Sequence, residues 1–176
     1  MDEIVQLAMQ KWPNVPDCYG WVGLDIRGNW FMRDEITQHA GIFGSGCANS
    51  KGSLLKHEKL IDFIGRNYQA KENGAWYFQN GPQKVYIELE LTPWIWRIGL
   101  DFEIRSHTGL MAKHKAAWLD ELGYLYVETN LGIGLVHTQD MELASEAVQS
   151  GVWSPNKIER EYLSERFSFV KNPVEQ

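Results

Sequence analysis

The sequence predicts an α+β fold, in which a mainly antiparallel sheet built from hairpins packs with about four helices. Three observations lead to this prediction. Segments with strand-like alternation outnumber segments with helical spacing, and the connections between them are short. No linker or shift in composition divides the 176 residues, so residues 1–176 are expected to form a single domain.

The predicted helices rest on apolar residues at helical spacing and on residues that begin or end a helix. In the first helix, Ile4, Leu7 and Trp12 share one face, and Pro13 ends the helix. Ser53 is a suitable N-cap for the second, because its hydroxyl can accept a backbone N–H of the first turn. The predicted helices are residues 3–12, 54–68, 139–149 and a segment that begins at Ser154-Pro155.

Strands are predicted where apolar residues alternate with polar ones between turn residues. In residues 84–92, Val85, Ile87 and Leu89 alternate with Lys, Tyr and Glu, so that one face is buried and the other meets water or a partner. The predicted strands are residues 19–26, 30–33, 76–79, 84–92, 94–98, 100–104, 115–119, 124–129, 133–138 and 166–170.

Two segments lack both the helical spacing and the strand-like alternation of apolar residues. Residues 35–53 end in a run rich in Gly, Ser and Asn, and a loop of this length in a compact domain is usually functional or mobile. The order Lys51-Gly52 does not fit a phosphate-binding loop, in which lysine directly follows the glycine. We therefore expect a flexible loop at about 35–53 and a frayed tail at 171–176.

The charge balance narrows the classes of partner. The formal net charge of -6 is unsuited to a general binder of nucleic acid or of anionic membranes. No apolar run reaches the ~20 residues that a membrane-spanning helix needs. The segment Met1-Asp2-Glu3 is acidic where a secretory signal is basic, and Cys18 and Cys47 are too few for a disulfide framework. We therefore expect a cytoplasmic protein that binds no membrane.

The residues that most often carry out chemistry do not form a known motif. The five histidines lack the tight spacing of zinc ligands, and the nearest pair, His107 and His114, is seven positions apart. No Ser or Cys stands in the context of an activated nucleophile. We therefore predict no catalytic residue, no metal site and no cofactor.

Aromatic residues are concentrated between Trp76 and Trp96, and strand alternation prevents them all from facing one core. Either two apolar layers cover this sheet or some rings are exposed, and exposed rings beside Arg97 would resemble a protein-binding hot spot. The candidate binding residues are Asn80, Gln83, Tyr86, Trp94, Trp96, Arg97, His137 and Asp140.

The Asn80-Gly81-Pro82-Gln83 break places two side-chain amides at a strand end. Because Pro82 has no N–H to donate across a two-residue hairpin turn, we expect a longer loop here. The amides of Asn80 and Gln83 then either tie the corner to its neighbours or face a ligand.

Four segments resemble a family of uncharacterised proteobacterial proteins, a domain of unknown function. They are GWVGLDIRGNW (20–30), FIGRNY (63–68), WYFQNGPQKVYIELELTPW (76–94) and GLVHTQDMELASEAV (134–148). The resemblance covers roughly residues 15–172 and implies a small, stand-alone, soluble protein. It brings no activity, cofactor or catalytic residue, so no functional residue is carried over.

The leading functional expectation is a non-catalytic cytoplasmic protein that binds another protein. The partner is either a different protein or a second copy of this chain, paired through an edge strand such as residues 94–98. One specific version is an immunity-type or antitoxin-like inhibitor, in which a small acidic domain covers the basic active site of its partner. The alternatives are a module that binds a small molecule or, less favoured, nucleic acid, and an enzyme whose pocket brings together Asn80, Gln83, His137 and Asp140.

Overall fold

The computed structural model describes residues 2–175, which form two compact units. The first unit comprises residues 2–25, 29–91 and 169–175, and the second comprises residues 26–28 and 92–168. Each unit is built on one β-sheet. This division does not decide whether the chain folds as a single domain, so the single domain stays a prediction. The flexible loop at 35–53 and the frayed tail at 171–176 also stay predictions.

The sheet of the first unit has six strands, which are β1 (Cys18–Leu24), β2 (Trp30–Met32), β3 (Ser53–Leu54), β4 (Tyr68–Ala70), β5 (Trp76–Asn80) and β6 (Gln83–Leu89). Their order across the sheet is β3-β2-β1-β6-β5-β4. The central strands β1 and β6 run parallel, with Val22 opposite Ile87 and Leu24 opposite Leu89. The other neighbouring pairs are antiparallel. Val22, Leu24, Ile87 and Leu89 are at most 2% exposed, so the parallel pair β1–β6 lies at the centre of the core of this unit.

The helices of the first unit are α1 (Glu3–Lys11), α2 (Glu35–His39) and α3 (Glu58–Asn67), with a 3₁₀ turn at Phe43–Ser45. Val5 is the buried residue of α1, whereas Ile4 and Leu7 are 75% and 58% exposed, so the apolar face that they share is not the buried one. α3 begins later than predicted because Ser53–Leu54 pairs with β2 as β3. The side chain of His57 caps α3 by accepting a backbone N–H of its first turn at 3.3 Å.

The sheet of the second unit has seven strands, which are β7 (Trp94–Ile98), β8 (Ile104–Ser106), β9 (Met111–Ala112), β10 (His114–Leu119), β11 (Leu125–Thr129), β12 (Gly132–Val136) and β13 (Asn156–Lys157). Their order is β13-β10-β11-β12-β7-β8-β9, with β12 parallel to β7 and β10 parallel to β13. The helices are α4 (Met141–Gln149) and α5 (Leu163–Arg166), and 3₁₀ turns span Leu100–Phe102, Thr138–Asp140 and Arg160–Tyr162. The helix predicted to begin at Ser154-Pro155 is wrong, because β13 occupies this segment.

β7 lies inside the seven-stranded sheet, between β12 and β8. The prediction that residues 94–98 form an edge strand is therefore wrong. Ile95 and Trp96 point to opposite faces and are both 0% exposed, which means that both faces of the strand are covered. The edge strands are β13 and β9, with two residues each, and such short edges offer little backbone for pairing with another chain.

The α+β content is confirmed, but the predicted mainly antiparallel sheet with about four helices is wrong. Residues 2–175 form two mixed sheets of six and seven strands and five short helices. The hairpins arise from local alternation and turn residues, whereas the parallel pairs join strands that are distant in sequence and that no local pattern encodes. Within residues 2–175, no helix has the length and apolar character that crossing a membrane requires.

Candidate functional site

Asn80 and Gln83 pair with each other at the end of the β5–β6 hairpin. Gly81 and Pro82 are therefore the central residues of a tight turn, and Gly81 has a φ of +57°, as the first position of a type II′ turn needs. The predicted longer loop is wrong, because proline stands at a central position that donates no pairing hydrogen bond. The side chain of Gln83 donates to the carbonyl of Pro16 at 3.0 Å, which ties this corner to the segment before β1, while Asn80 is exposed.

The aromatic candidates Tyr86, Trp94 and Trp96 are 1%, 4% and 0% exposed. The two indole rings stack with centroids 5.8 Å apart. Each donates its Nε1–H over 2.8 Å to a backbone carbonyl, Trp94 to Leu131 and Trp96 to Val127. These rings belong to the core rather than to an exposed surface, and their role in binding stays a prediction.

Arg97 and Asp140 form an ion pair in the second unit. Nε of Arg97 lies 2.5 Å from Oδ2 of Asp140, and Nη2 lies 3.0 Å from Oδ1. Oδ2 also accepts the N–H of Ile98 at 3.0 Å, and the hydrogen bonds from Arg97 lower the pKa of Asp140 against the opposing effect of burial. His137 is buried, and its Nδ1 accepts the N–H of Gln139 at 3.0 Å. These contacts fasten the turn before α4 to β7.

A groove of about 1020 Å³ lies in the second unit beside β13 and α5, and we call it the β13 groove. Its apolar and aromatic lining is Leu119, Ile158 and Tyr162, of which Leu119 and Tyr162 are 40% and 51% exposed. Its charged lining is Asp120, Glu121, Lys157, Glu159, Glu165 and Arg166.

Asp120 is the buried carboxylate of the β13 groove and organises its wall. Oδ2 accepts hydrogen bonds from the Tyr126 hydroxyl at 2.7 Å and from Nε of Arg160 at 2.9 Å. Oδ1 accepts the N–H groups of Leu122 and Tyr124 at 3.0 and 2.8 Å. Burial acts to raise the pKa of Asp120, but these hydrogen bonds and the Arg160 charge outweigh it, and the pKa is lowered. The carboxylate is therefore ionised and held in one place.

Arg166, which lines the groove, packs against two aromatic rings outside the lining. The guanidinium of Arg166 lies 4.2 Å from the ring centroid of Trp118, and Phe167 meets the same ring edge-on at 5.7 Å. Arg166 is exposed and Trp118 is partly buried. A guanidinium at this distance from an indole ring makes a cation–π contact.

Comparison with known protein families decides the membership of this chain. The family model DUF2944, whose description reads "Protein of unknown function (DUF2946)", matches residues 1–174. The chain belongs to this family. The resemblance to a family of unknown function is thereby confirmed.

One solved structure adds information about the fold of this DUF2944 member. It is the crystal structure, at 2.50 Å resolution, of a DUF1285 family protein from Silicibacter pomeroyi DSS-3. The TM-score is 0.50 and the identity 14%, over 76% of this chain and 72% of that chain, so the likeness concerns the fold alone. No curated protein sequence matches the chain.

The groove of this DUF2944 member was missed by sequence reasoning, since Asp120 and Arg160 are 40 positions apart. One local signal exists, because Asp120 and Gly123 stand at the first and last positions of a turn, where these residue types are favoured. Among residues 2–175, no three His, Cys, Asp or Glu side chains are close enough to hold a metal ion. The groove offers charged side chains and contact area.

Proposed function

We propose that this protein is a non-catalytic protein that binds another protein through the β13 groove. The observation that carries the proposal is that one groove combines apolar side chains, an exposed tyrosine, an exposed arginine and an excess of carboxylates. Trp, Tyr and Arg are the residue types that dominate binding energy in protein interfaces. Tyr162 and Arg166 occupy exposed positions of this kind, and Trp118 lies against Arg166.

The charges of the groove determine the chemistry of the proposed partner. Four carboxylates and two cations line it, and Arg160 neutralises Asp120, which leaves an excess of one negative charge. Asp120 is paired with Arg160, whereas Glu159 and Glu165 lie at the exposed rim. The proposed partner segment therefore presents Lys or Arg side chains around one apolar side chain, and the apolar side chain contacts Leu119.

The ionised and hydrogen-bonded carboxylate of Asp120 supports a role in binding a protein rather than in catalysis. Four donors hold its carboxylate, and its pKa is lowered, so it is poorly suited to exchange a proton with a substrate near neutral pH. A carboxylate that is ionised and held in one position is instead suited to a preorganised binding surface.

The specific version of the proposal is an immunity-type inhibitor whose acidic groove covers a basic active site. The proposed compartment is the cytoplasm, and the free thiols of Cys18 and Cys47 agree with a reducing environment. The inhibitor version requires that the captured partner be an enzyme and that this protein, added in equimolar amount, abolish its activity.

The groove is tested with a fluorescent peptide that carries one Leu flanked by Lys and Arg, and with an analogue in which Glu replaces every Lys and Arg. The basic peptide is expected to bind, more weakly as salt is raised, and the acidic analogue is not. The double variant Glu159→Lys, Glu165→Lys is expected to lose this binding. Glu142→Lys, Glu146→Lys is the matched control, because it makes the same change of charge at exposed positions of α4.

Tyr162→Ala provides a second test that leaves the charge unchanged. Its binding of the basic peptide is expected to fall about tenfold or more, the usual loss for an interface hot spot. Equal binding by both peptides, or equal loss in the groove variant and in the α4 control, contradicts the proposal. Cross-linking in native cells then identifies the partner, which must be lost from the groove variants and kept by the control.

A further inference from the structure

The edge strand β13 continues in an extended conformation past its last residue. Ile158 donates its N–H to the carbonyl of Leu119 at 3.1 Å, which carries the pairing with β10 one residue further. Glu159 follows with a φ of -86° and a ψ of 134°, which are extended values. The free edge of the seven-stranded sheet therefore runs over residues 156–159. Lys157, Ile158 and Glu159 of this edge line the β13 groove.

The backbone groups of this edge point alternately toward β10 and away from it. In a paired strand, the N–H and C=O of one residue face one neighbour and those of the next residue face the other side. Because the N–H of Ile158 is bonded to β10, the backbone groups of Lys157 and the N–H of Glu159 face the open side. Within residues 2–175, neither of these two N–H groups has a hydrogen-bond acceptor. The edge thus presents two donors with the carbonyl of Lys157 between them.

Two carboxylates of the β10–β11 turn hold the end of this edge in place. Glu121 Oε2 accepts the backbone N–H of Arg160 at 3.0 Å, and Asp120 Oδ2 accepts Nε of the same residue at 2.9 Å. The Arg160 guanidinium also lies 4.2 Å from the ring centroid of Tyr124. The residue after the edge is therefore fastened by its backbone and by its side chain. An edge that is held in this way loses little conformational freedom when a partner pairs with it.

The length of the edge and its charged neighbours indicate the kind of segment that fits it. An edge of this length is too short to join two folded sheets, but a short peptide strand can pair with it if side chains supply further binding energy. The carboxylates of Glu159 and Glu165 stand exposed beside it. Alternate side chains of an extended segment point the same way, so basic residues two positions apart can reach these carboxylates together.

We propose that the β13 groove binds its partner as an extended basic segment that adds a strand to the seven-stranded sheet at β13. This inference rests on the proposed function, because it states how the same partner is held. The N–H groups of Lys157 and Glu159 donate to two backbone carbonyls of the partner, and the carbonyl of Lys157 accepts one backbone N–H. Lys or Arg side chains at alternate positions of the partner contact Glu159 and Glu165.

The first test replaces single backbone N–H groups of the partner. The fluorescent basic peptide that tests the groove is made as a series in which each copy carries one N-methylated peptide bond. Every second N–H of an added strand faces β13, and the others face water. Methylation is therefore expected to weaken binding to the wild-type protein by about tenfold or more at alternate positions, with little effect between them. A helical segment lacks this period of two.

The second test removes a donor from the edge itself. Lys157→Pro eliminates the N–H that faces away from β10, and proline is tolerated on an edge strand at such a position. Lys157→Ala is the matched control, because it loses the same charge but keeps the N–H. The proline variant is expected to bind the basic peptide about tenfold more weakly than the alanine variant. Urea unfolding of both variants checks that the proline variant is folded.

The outcomes separate this inference from the proposed function. Equal effects of methylation at all positions overturn the strand addition, and so does equal affinity of the two folded Lys157 variants. In both cases the basic peptide still binds the wild type, and the proposed function stands. If the wild type does not bind the basic peptide, the proposed function and this inference fail together. If Lys157→Pro does not fold, the methylated series on the wild-type protein decides.

Discussion

Arg33 donates a hydrogen bond to the carboxylate of Glu88 inside the first unit, and the two side chains are 1% and 9% exposed. The same guanidinium donates to the backbone carbonyl of Gly20 in β1 at 3.3 Å and, within the 34–50 segment, to that of Ser50 at 2.9 Å. Glu88 in turn accepts the N–H of Phe43 at 3.0 Å. One buried ion pair thus fixes a long connection against the central strand β6.

Arg33→Met is expected to lower the free energy of unfolding by about 3–5 kcal/mol, because it leaves the Glu88 carboxylate buried without its counter-charge. Glu88→Gln is expected to cost less, since the amide oxygen still accepts the N–H of Phe43 and Arg33 keeps its backbone acceptors. Urea unfolding of both variants measures the difference. Arg105→Met is the control, because Arg105 is exposed and is expected to change stability by less than ~0.5 kcal/mol. A loss in Arg33→Met no larger than in this control contradicts the role of the pair.

Gly134→Ala is expected to destabilise the second unit, because no room exists for a side chain there. A Cβ at this position lies 2.4 Å from Nε1 of Trp96 and 2.7 Å from Cβ of Trp94. The overlap forces the packed indoles to move, at a cost of about 1–3 kcal/mol. Thermal unfolding and tryptophan fluorescence report the change. Gly99→Ala is the control, because a Cβ at position 99 meets its neighbours at 3.7 Å or more, and its Tm should barely change. If Gly134→Ala and Gly99→Ala lower Tm equally, the crowding at Gly134 is not the cause.

The positions of most strands follow from the sequence, but their partners do not. The alternation around Val85 and Ile87 is local, so β6 was predicted within one residue of its observed start and three residues of its observed end. The pairing of Ile87 with Val22 is set by packing between segments 65 positions apart, and it makes the central pair parallel. The burial of both faces of β7 likewise depends on neighbouring strands and helices that alternation cannot identify. The sequence therefore left open whether Trp94 and Trp96 are buried or exposed.

The candidate site was predictable only as residue types. Arg97 and Asp140 were both chosen, and the structure joins them as an ion pair across 43 positions. Gln83 was chosen for its spare amide, which binds the Pro16 carbonyl. Asn80 and Gln83 belong to the first unit and His137 and Asp140 to the second, and an enzyme pocket that joins the four residues stays a prediction.

Tyr126→Phe is expected to raise the pKa of Asp120, because the variant removes a hydrogen bond to the ionised carboxylate. The folded-state pKa of Asp120 is lowered, so its contribution to stability is present above the unfolded pKa near ~4 and is lost as pH falls through the folded value. The wild type is therefore expected to be more stable than Tyr126→Phe by about 1.5–3 kcal/mol at pH 7. The gap should narrow toward pH 3. Urea unfolding at both pH values measures it, and a constant gap contradicts the assignment to an ionised acceptor.

His107 is expected to make the second unit less stable as pH falls from 7 to 5. Both ring nitrogens are enclosed, with Nδ1 accepting the N–H of Ile95 at 3.3 Å, and burial lowers the pKa of His107 to about 3. The unfolded chain therefore takes up a proton near ~6.5 that the folded chain does not, and stability falls below that pH by up to about 1.4 kcal/mol per pH unit. His107→Asn keeps an oxygen for the Ile95 N–H but does not titrate, so its unfolding free energy should fall less steeply over this range. The slope that remains comes from His114, whose pKa burial also lowers. The exposed His39, changed to Asn, is the control and should retain the wild-type slope. If His107→Asn has the same slope as the wild type in urea unfolding at pH 7, 6 and 5, His107 is not the group that titrates.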